Sequence, residues 1–138
     1  MKRFLIFIIV AILMCSRAVI AQDVNFSKIE FSQTVYDFDT INQGDNGTCS
    51  FVYKNTGTAP LIISNVSASC GCTNTSYDRK PIMPQKGGVI TIKYDTAIPG
   101  EFRKIIMVTS NATNKGIIVL TIKGYVKKRV ASHCNKII

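Results

Sequence analysis

Reactive side chains concentrate in one stretch of this 138-residue chain, Ser69-Cys70-Gly71-Cys72-Thr73. Cys70, Gly71, Cys72 and Thr73 are therefore the candidate motif or redox residues. Three kinds of chemistry fit two thiols one residue apart. They can close on each other in a tight ring, with Gly71 relaxing the backbone at the bend. A bond of that kind is strained, and so more reducible than a structural disulfide. As thiolates, Cys70 and Cys72 are also the candidate metal ligands, suited to a soft ion such as Cu(I). Alternatively they end a strand and fill a bend with small sulfur atoms. A zinc site would need four well-placed ligands, and no second pair completes one.

The remaining candidates carry less chemistry. Four cysteines beyond the N-terminal segment (Cys49, Cys70, Cys72 and Cys134) allow three full pairings, and spacing does not choose among them. Cys49 alternates with Phe51 and Tyr53, which reads as a small buried residue on a strand. His133 and Cys134 stand side by side in a terminal tail, where no third group would hold the base. Asp37 and Asp39 flank Phe38 and would share one face of an exposed strand edge. Asp39-Thr40-Ile41 and Asp95-Thr96-Ala97 are similar to a short O-glycosylation motif of exported bacterial proteins. No residue is assigned a catalytic role, and no cofactor is implied.

These residues need elements to position them. Met1-Lys2-Arg3 is a short basic start, Phe4 to Cys15 is an uninterrupted apolar run, and Val19-Ile20-Ala21 offers a cleavage site before Gln22. That layout predicts a secretory signal peptide over residues 1–21, too short for a comfortable membrane span. Two other fates would leave a membrane attachment: lipidation at Cys15, with Met14 a poor residue before it, and an uncleaved anchor. An exported chain meets an oxidising compartment, where free thiols are unusual.

Charge needs the same division. The chain has 17 basic and 8 acidic residues, a formal net charge of +9. Lys2, Arg3 and Arg17 leave with the signal, and Lys127, Lys128, Arg129 and Lys136 lie in a basic tail over residues 127–138. The domain between, residues 22–126, is close to neutral, so no nucleic-acid partner is expected.

Within that domain the pattern is short strands separated by turn residues. Ile29–Phe31 and Thr34–Phe38 are brief and rich in aromatic and β-branched residues. After the Asn42–Gly47 turn cluster, Thr48–Lys54 alternates, with Cys49, Phe51 and Tyr53 on one face. Leu61–Ser67 leads into the Cys-Gly-Cys break, where small and polar residues suggest that the chain leaves the core. The segment through Tyr77–Lys80 is polar, and Pro81 and Pro84 exclude a central strand. Val89–Tyr94, Phe102–Ser110 and Ile117–Val126 complete seven strands with turns every 8 to 12 residues, which predicts an all-β, immunoglobulin-like antiparallel sandwich. Its core would hold Phe51, Leu61, Ile63, Ile90, Ile92, Phe102, Ile106, Val108, Leu120 and Ile122. Cys70 and Cys72 would then lie at a strand end or in the loop after it, their sulfurs close and at least one partly accessible.

A family resemblance rests on the same residues. Phe38 with Gly44, Phe51 to Gly57, Pro60 to Ile63, Ser69 to Thr73, Pro81-Ile82, Gly88 to Ile90, Gly100 to Phe102, Ser110-Asn111 and Leu120, Ile122, Gly124 and Val126 follow one order. That order resembles a bacterial family named as domain of unknown function 1573, whose most specific element is Ser-Cys-Gly-Cys-Thr. The family is similar to the immunoglobulin-like domains of Hydin-type proteins. The resemblance implies an exported sandwich, often from Bacteroidetes-like bacteria, and it brings no assigned activity. Cys49, Cys134 and the basic tail depart from the family pattern.

The expectation is a periplasmic, cell-surface or secreted non-enzymatic module with a protein or cell-envelope partner. Any membrane contact would come only through an uncleaved signal or a lipid anchor. The alternative is a small thiol-disulfide or Cu(I)-handling protein acting through Cys70 and Cys72.

Overall fold

A computed structural model describes residues 1–14 and 24–130. The proposed cleavage site at Val19-Ile20-Ala21, Cys15 and the His133-Cys134 pair lie outside the described residues. At the N-terminus Lys2–Met14 forms a 13-residue helix, α1, whose side chains through Ala11 are exposed. No described helix is long and apolar enough to cross a membrane.

Eight strands follow, built where β-branched and aromatic residues recur at period two. They are β1 (Ile29–Phe31), β2 (Val35–Asn42), β3 (Thr48–Asn55), β4 (Ile63–Ala68), β5 (Thr73–Tyr77), β6 (Gly87–Tyr94), β7 (Gly100–Ser110) and β8 (Ile117–Lys127). Sheet I has the order β1-β3-β6-β5 and sheet II the order β2-β8-β7-β4. All neighbours are antiparallel except β2 and β8. The fold is the expected β-sandwich, with one strand more than the sequence pattern suggests.

The core lies between the two inner faces. All ten side chains expected there are buried, and Ile29, Cys49, Tyr53, Tyr94 and Val126 join them. Register explains the selection. Phe51 faces Ile90 and Cys49 faces Ile92 across β3 and β6, while Ile106 faces Leu120 across β7 and β8. The sheets meet through aromatic rings. Tyr94 of β6 stacks on Phe102 of β7 with centroids 3.9 Å apart, and Tyr36 of β2 meets Phe51 edge-on at 6.5 Å.

Three expectations need correction. The polar segment after the cysteines is not a departure from the core, because Thr73–Tyr77 forms β5 at the edge of sheet I. An edge strand pairs on one side only and needs only alternate residues inward. Thr73 is buried there, with Thr75 and Tyr77 half-buried. Second, β2 continues past Phe38 to Asn42 through a bulge between Asp37 and Thr40, with Asp39 at φ 53°. Asp37 and Asp39 are both exposed and line one shallow pocket with Lys123, so they stay on the same side as expected, and the alternation breaks only at Thr40. Third, Leu61 precedes β4 and instead bridges to Ile82 in the proline-flanked segment.

Loops are held by buried amides. Asn55 is fully buried at the end of β3. Its Nδ2 donates to the Ala59 and Ile82 carbonyls at 2.8 and 2.9 Å. Its Oδ1 accepts from the Gly57 and Lys28 amides at 3.0 and 3.4 Å. One side chain thus closes the 56–60 turn and ties it to two other segments.

Candidate functional site

The Cys-Gly-Cys element is the passage from sheet II to sheet I. It joins β4 and β5, which are edge strands of opposite sheets on the same side of the sandwich. Both ends of the passage are fixed by backbone hydrogen bonds. The Ser69 amide donates to the Ile105 carbonyl at 2.9 Å, and Ser69 Oγ accepts from the Ile105 amide at 3.3 Å. On the far side the Cys72 carbonyl accepts from the Asp95 amide at 2.9 Å. Thr75 Oγ1 of β5 donates to the Val66 carbonyl of β4 at 3.3 Å, joining the two edges below the passage.

Between these anchors Cys70 and Cys72 are joined as a disulfide, with their Cα atoms 5.4 Å apart. Both residues are half-buried, and Gly71 is exposed. Gly71 has no positive φ, and a Cβ added there would meet nothing within 4 Å. The turn therefore does not need the backbone freedom that the glycine was expected to supply. Thr73 Oγ1 lies 3.9 Å from each sulfur and makes no nearer hydrogen bond among the described residues.

The passage forms one wall of an open cleft of about 580 Å³. The opposite wall is the turn between β2 and β3, and the floor is the end of β6. The Tyr94 amide donates to the Gly47 carbonyl at 2.9 Å, and Thr96 Oγ1 donates to the Asp45 carbonyl at 2.6 Å, so the turn is pinned to the floor. Gly71, Cys72, Asn74 and Lys93 line the cleft, as do the carboxylate-bearing Asp45 and Asp95. The two carboxylates are engaged: Asp45 Oδ1 is 3.8 Å from Arg129 Nη2, and Asp95 Oδ1 accepts from the Ala97 amide at 3.0 Å. Lys93 is exposed and forms no ion pair among the described residues.

The other candidates do not join this site. Cys49 is only 4% exposed inside the sandwich and unpaired among the described residues. Burial pushes its thiol up to about 11, which suppresses the thiolate on which reactivity depends. Asp37 serves the β2 bulge. Its Oδ1 accepts from the Asp39 amide at 2.8 Å and its Oδ2 is 3.0 Å from Lys123 Nζ. That amide bond first, and then Lys123, hold its carboxyl below the usual range. Thr96 is buried and hydrogen-bonded, so its hydroxyl is not free for modification, whereas Thr40 is exposed. No group of three or more metal-ligating side chains occurs among the described residues. Cys70 and Cys72, bonded to each other, offer no thiolate to Cu(I) unless reduced.

One feature lay unread in the sequence. On the outer face of sheet II, Ile105 and Met107 of β7, Ile117 and Val119 of β8, and Val35 of β2 are exposed and adjacent. Met107 pairs directly with Val119, and Thr121 lies between Ile105 and Val35. The signal was present: Ile105–Val108 and Ile117–Leu120 are apolar at both parities, where a half-buried strand should alternate.

Comparison with known proteins gives fold and family. A protein of unknown function from Porphyromonas gingivalis W83 is 16% identical with a TM-score of 0.67; the match covers 79% of this chain and 51% of that one, so this chain spans about half its length. The ASH/PapD-like domain 7 of human CEP192 is 11% identical, TM-score 0.63, over 76% of this chain and 89% of that one. The CupB2 chaperone of Pseudomonas aeruginosa is 11% identical, TM-score 0.52, over 70% of this chain and 55% of that one. No curated protein matches. The family model described as protein of unknown function (DUF1573) matches residues 29–126, which hold all but the last residue of the eight-stranded sandwich and its Cys-Gly-Cys passage, and the chain belongs to that family.

Proposed function

We propose that this protein is an exported, non-enzymatic module that docks a protein partner of the cell envelope through the outer face of sheet II. The observation that carries the reading is the apolar stripe of Val35, Ile105, Met107, Ile117 and Val119, exposed on three adjacent strands. Strands that face water on one side ordinarily alternate apolar and polar residues, while strands covered on both sides are apolar throughout. β7 and β8 have the second pattern over Ile105–Val108 and Ile117–Leu120 and the first kind of surroundings. A contiguous exposed apolar patch of this sort marks an interaction surface. Export is supported by the basic start and the apolar run of residues 4–15.

A photo-activatable benzophenone side chain at position 119, in the producing cell, tests the reading. The expected result is one discrete adduct with an envelope protein, lost when Met107→Glu places a charge in the stripe. The same probe at Ser50, exposed on the other sheet, should give none. Absence of any adduct at 119, or an adduct only with a second copy of this chain, would overturn it.

A further inference from the structure

We propose a second activity, independent of the docking face: the Cys70–Cys72 disulfide is an exchangeable bond that oxidises a protein dithiol entering the cleft beside it. The first ground is that the bond has little structural work to do. A disulfide stabilises a fold mainly by closing a long loop of the unfolded chain, and this one spans a sequence separation of 2. The passage is already anchored one residue before Cys70, through Ser69 and Ile105, and at Cys72 itself, through Asp95. Gly71 has neither a positive φ nor a close neighbour to satisfy.

The second ground is placement. Cys72 lines the cleft and Cys70 does not. An incoming thiolate from the cleft therefore attacks Cys72 Sγ along the open side. The S–S bond breaks as the new S–S bond forms, and Cys70 leaves as a thiolate. Thr73 Oγ1, 3.9 Å from that sulfur, is placed to donate a hydrogen bond to it. Lys93, unpaired among the described residues, is the cation that lines the same cleft, beside the carboxylates of Asp45 and Asp95. The partner's second thiolate then attacks its own sulfur in the mixed disulfide and expels Cys72 as a thiolate. In sum the dithiol is oxidised to a disulfide, and its two electrons and two protons pass to Cys70 and Cys72. Cys49, buried in the core, takes no part.

The test uses the purified full-length chain with dithiothreitol as the dithiol, in native buffer, followed by alkylation and mass mapping. One equivalent of oxidised dithiothreitol per chain should form, with Cys70 and Cys72 alkylated and Cys49 unmodified. The rate should match that in denaturant to within about threefold, as for an accessible bond. A bond that is reduced only after denaturation overturns the proposal. The single variants locate the attacked sulfur. With Cys70→Ser the remaining Cys72 thiol should exchange with oxidised glutathione about tenfold faster than Cys70 does in Cys72→Ser, because access governs exchange. Equal rates, or the reverse order, overturn the assignment to the cleft. Loss of the cross-link at position 119 would leave these outcomes unchanged, so the two proposals fail separately.

Discussion

At the residue scale the three described cysteines divide by environment. Cys49 lies on β3 between the sheets as a buried free thiol, whereas Cys70 and Cys72 are bonded to each other in the passage between the edge strands β4 and β5. The raised Cys49 thiol has a stability consequence with a definite sign. Its folded pKa of about 11 lies above the unfolded value near 9, so the folded state holds the proton longer. Its contribution is fully present below pH 9 and is lost as pH rises from 9 to 11, an effect on the order of 2 kcal/mol. Denaturant midpoints measured from pH 8 to 11 should fall less steeply for Cys49→Ala than for the parent chain. Parallel slopes would refute the assignment. At Gly71 the open surroundings predict that Gly71→Ala keeps the disulfide and changes stability by less than about 0.5 kcal/mol. Intact mass and a melting curve decide the point.

At the scale of elements, turns and edges carry the specificity. Asn55 satisfies the Ala59 carbonyl and the Gly57 and Lys28 amides, and gives the Ile82 carbonyl a second donor beside the Leu61 amide. Asn55→Ala should therefore cost about 2–5 kcal/mol, more than its small apolar contribution, since each orphaned buried group costs about 1–3 kcal/mol. Urea unfolding measures this, and a cost under 1 kcal/mol would mean that water replaces the amide. Asn111 plays a lesser version of the same role, accepting from the Ile62 amide at 2.8 Å and donating to the Pro60 carbonyl at 3.1 Å. β5 shows how little an edge strand requires: three inward side chains, one pairing partner and a tether through Thr75 to β4.

At the scale of the whole molecule, the two faces of sheet II differ in what a substitution should do. Ile106 is fully buried, so Ile106→Ala should lose about 2–5 kcal/mol through lost burial and a cavity. Met107 is its neighbour on the opposite face and 47% exposed. Met107→Glu should stay within about 0.5 kcal/mol of the parent while abolishing the cross-link at position 119. A large loss of stability at 107 would show the outer face to be part of the fold, not a docking surface. For the proposed export, the protein recovered from the envelope should begin at Gln22 by intact mass. A recovered chain still carrying Met1 would contradict cleavage after Ala21.

The sequence by itself determined the class of fold, most of its strands and its core. Period-two burial is a local property, and Phe51, Ile90, Ile92, Phe102 and Ile106 announce it in their own neighbourhoods. The Cys-Gly-Cys break after a strand was legible for the same reason, since turn residues interrupt the pattern there. Which cysteines bond was not, because pairing depends on distances that spacing leaves open. β5 was hidden because an edge strand draws its stability from β6 and asks little of its own composition. The cleft beside Cys72 needed tertiary structure too, as Gly44–Gly47 and Lys93–Ala97 reach it from distant parts of the chain. The apolar stripe was written in the doubled parity of Ile105–Val108 and Ile117–Leu120, but only the pairing of Met107 with Val119 made it one surface.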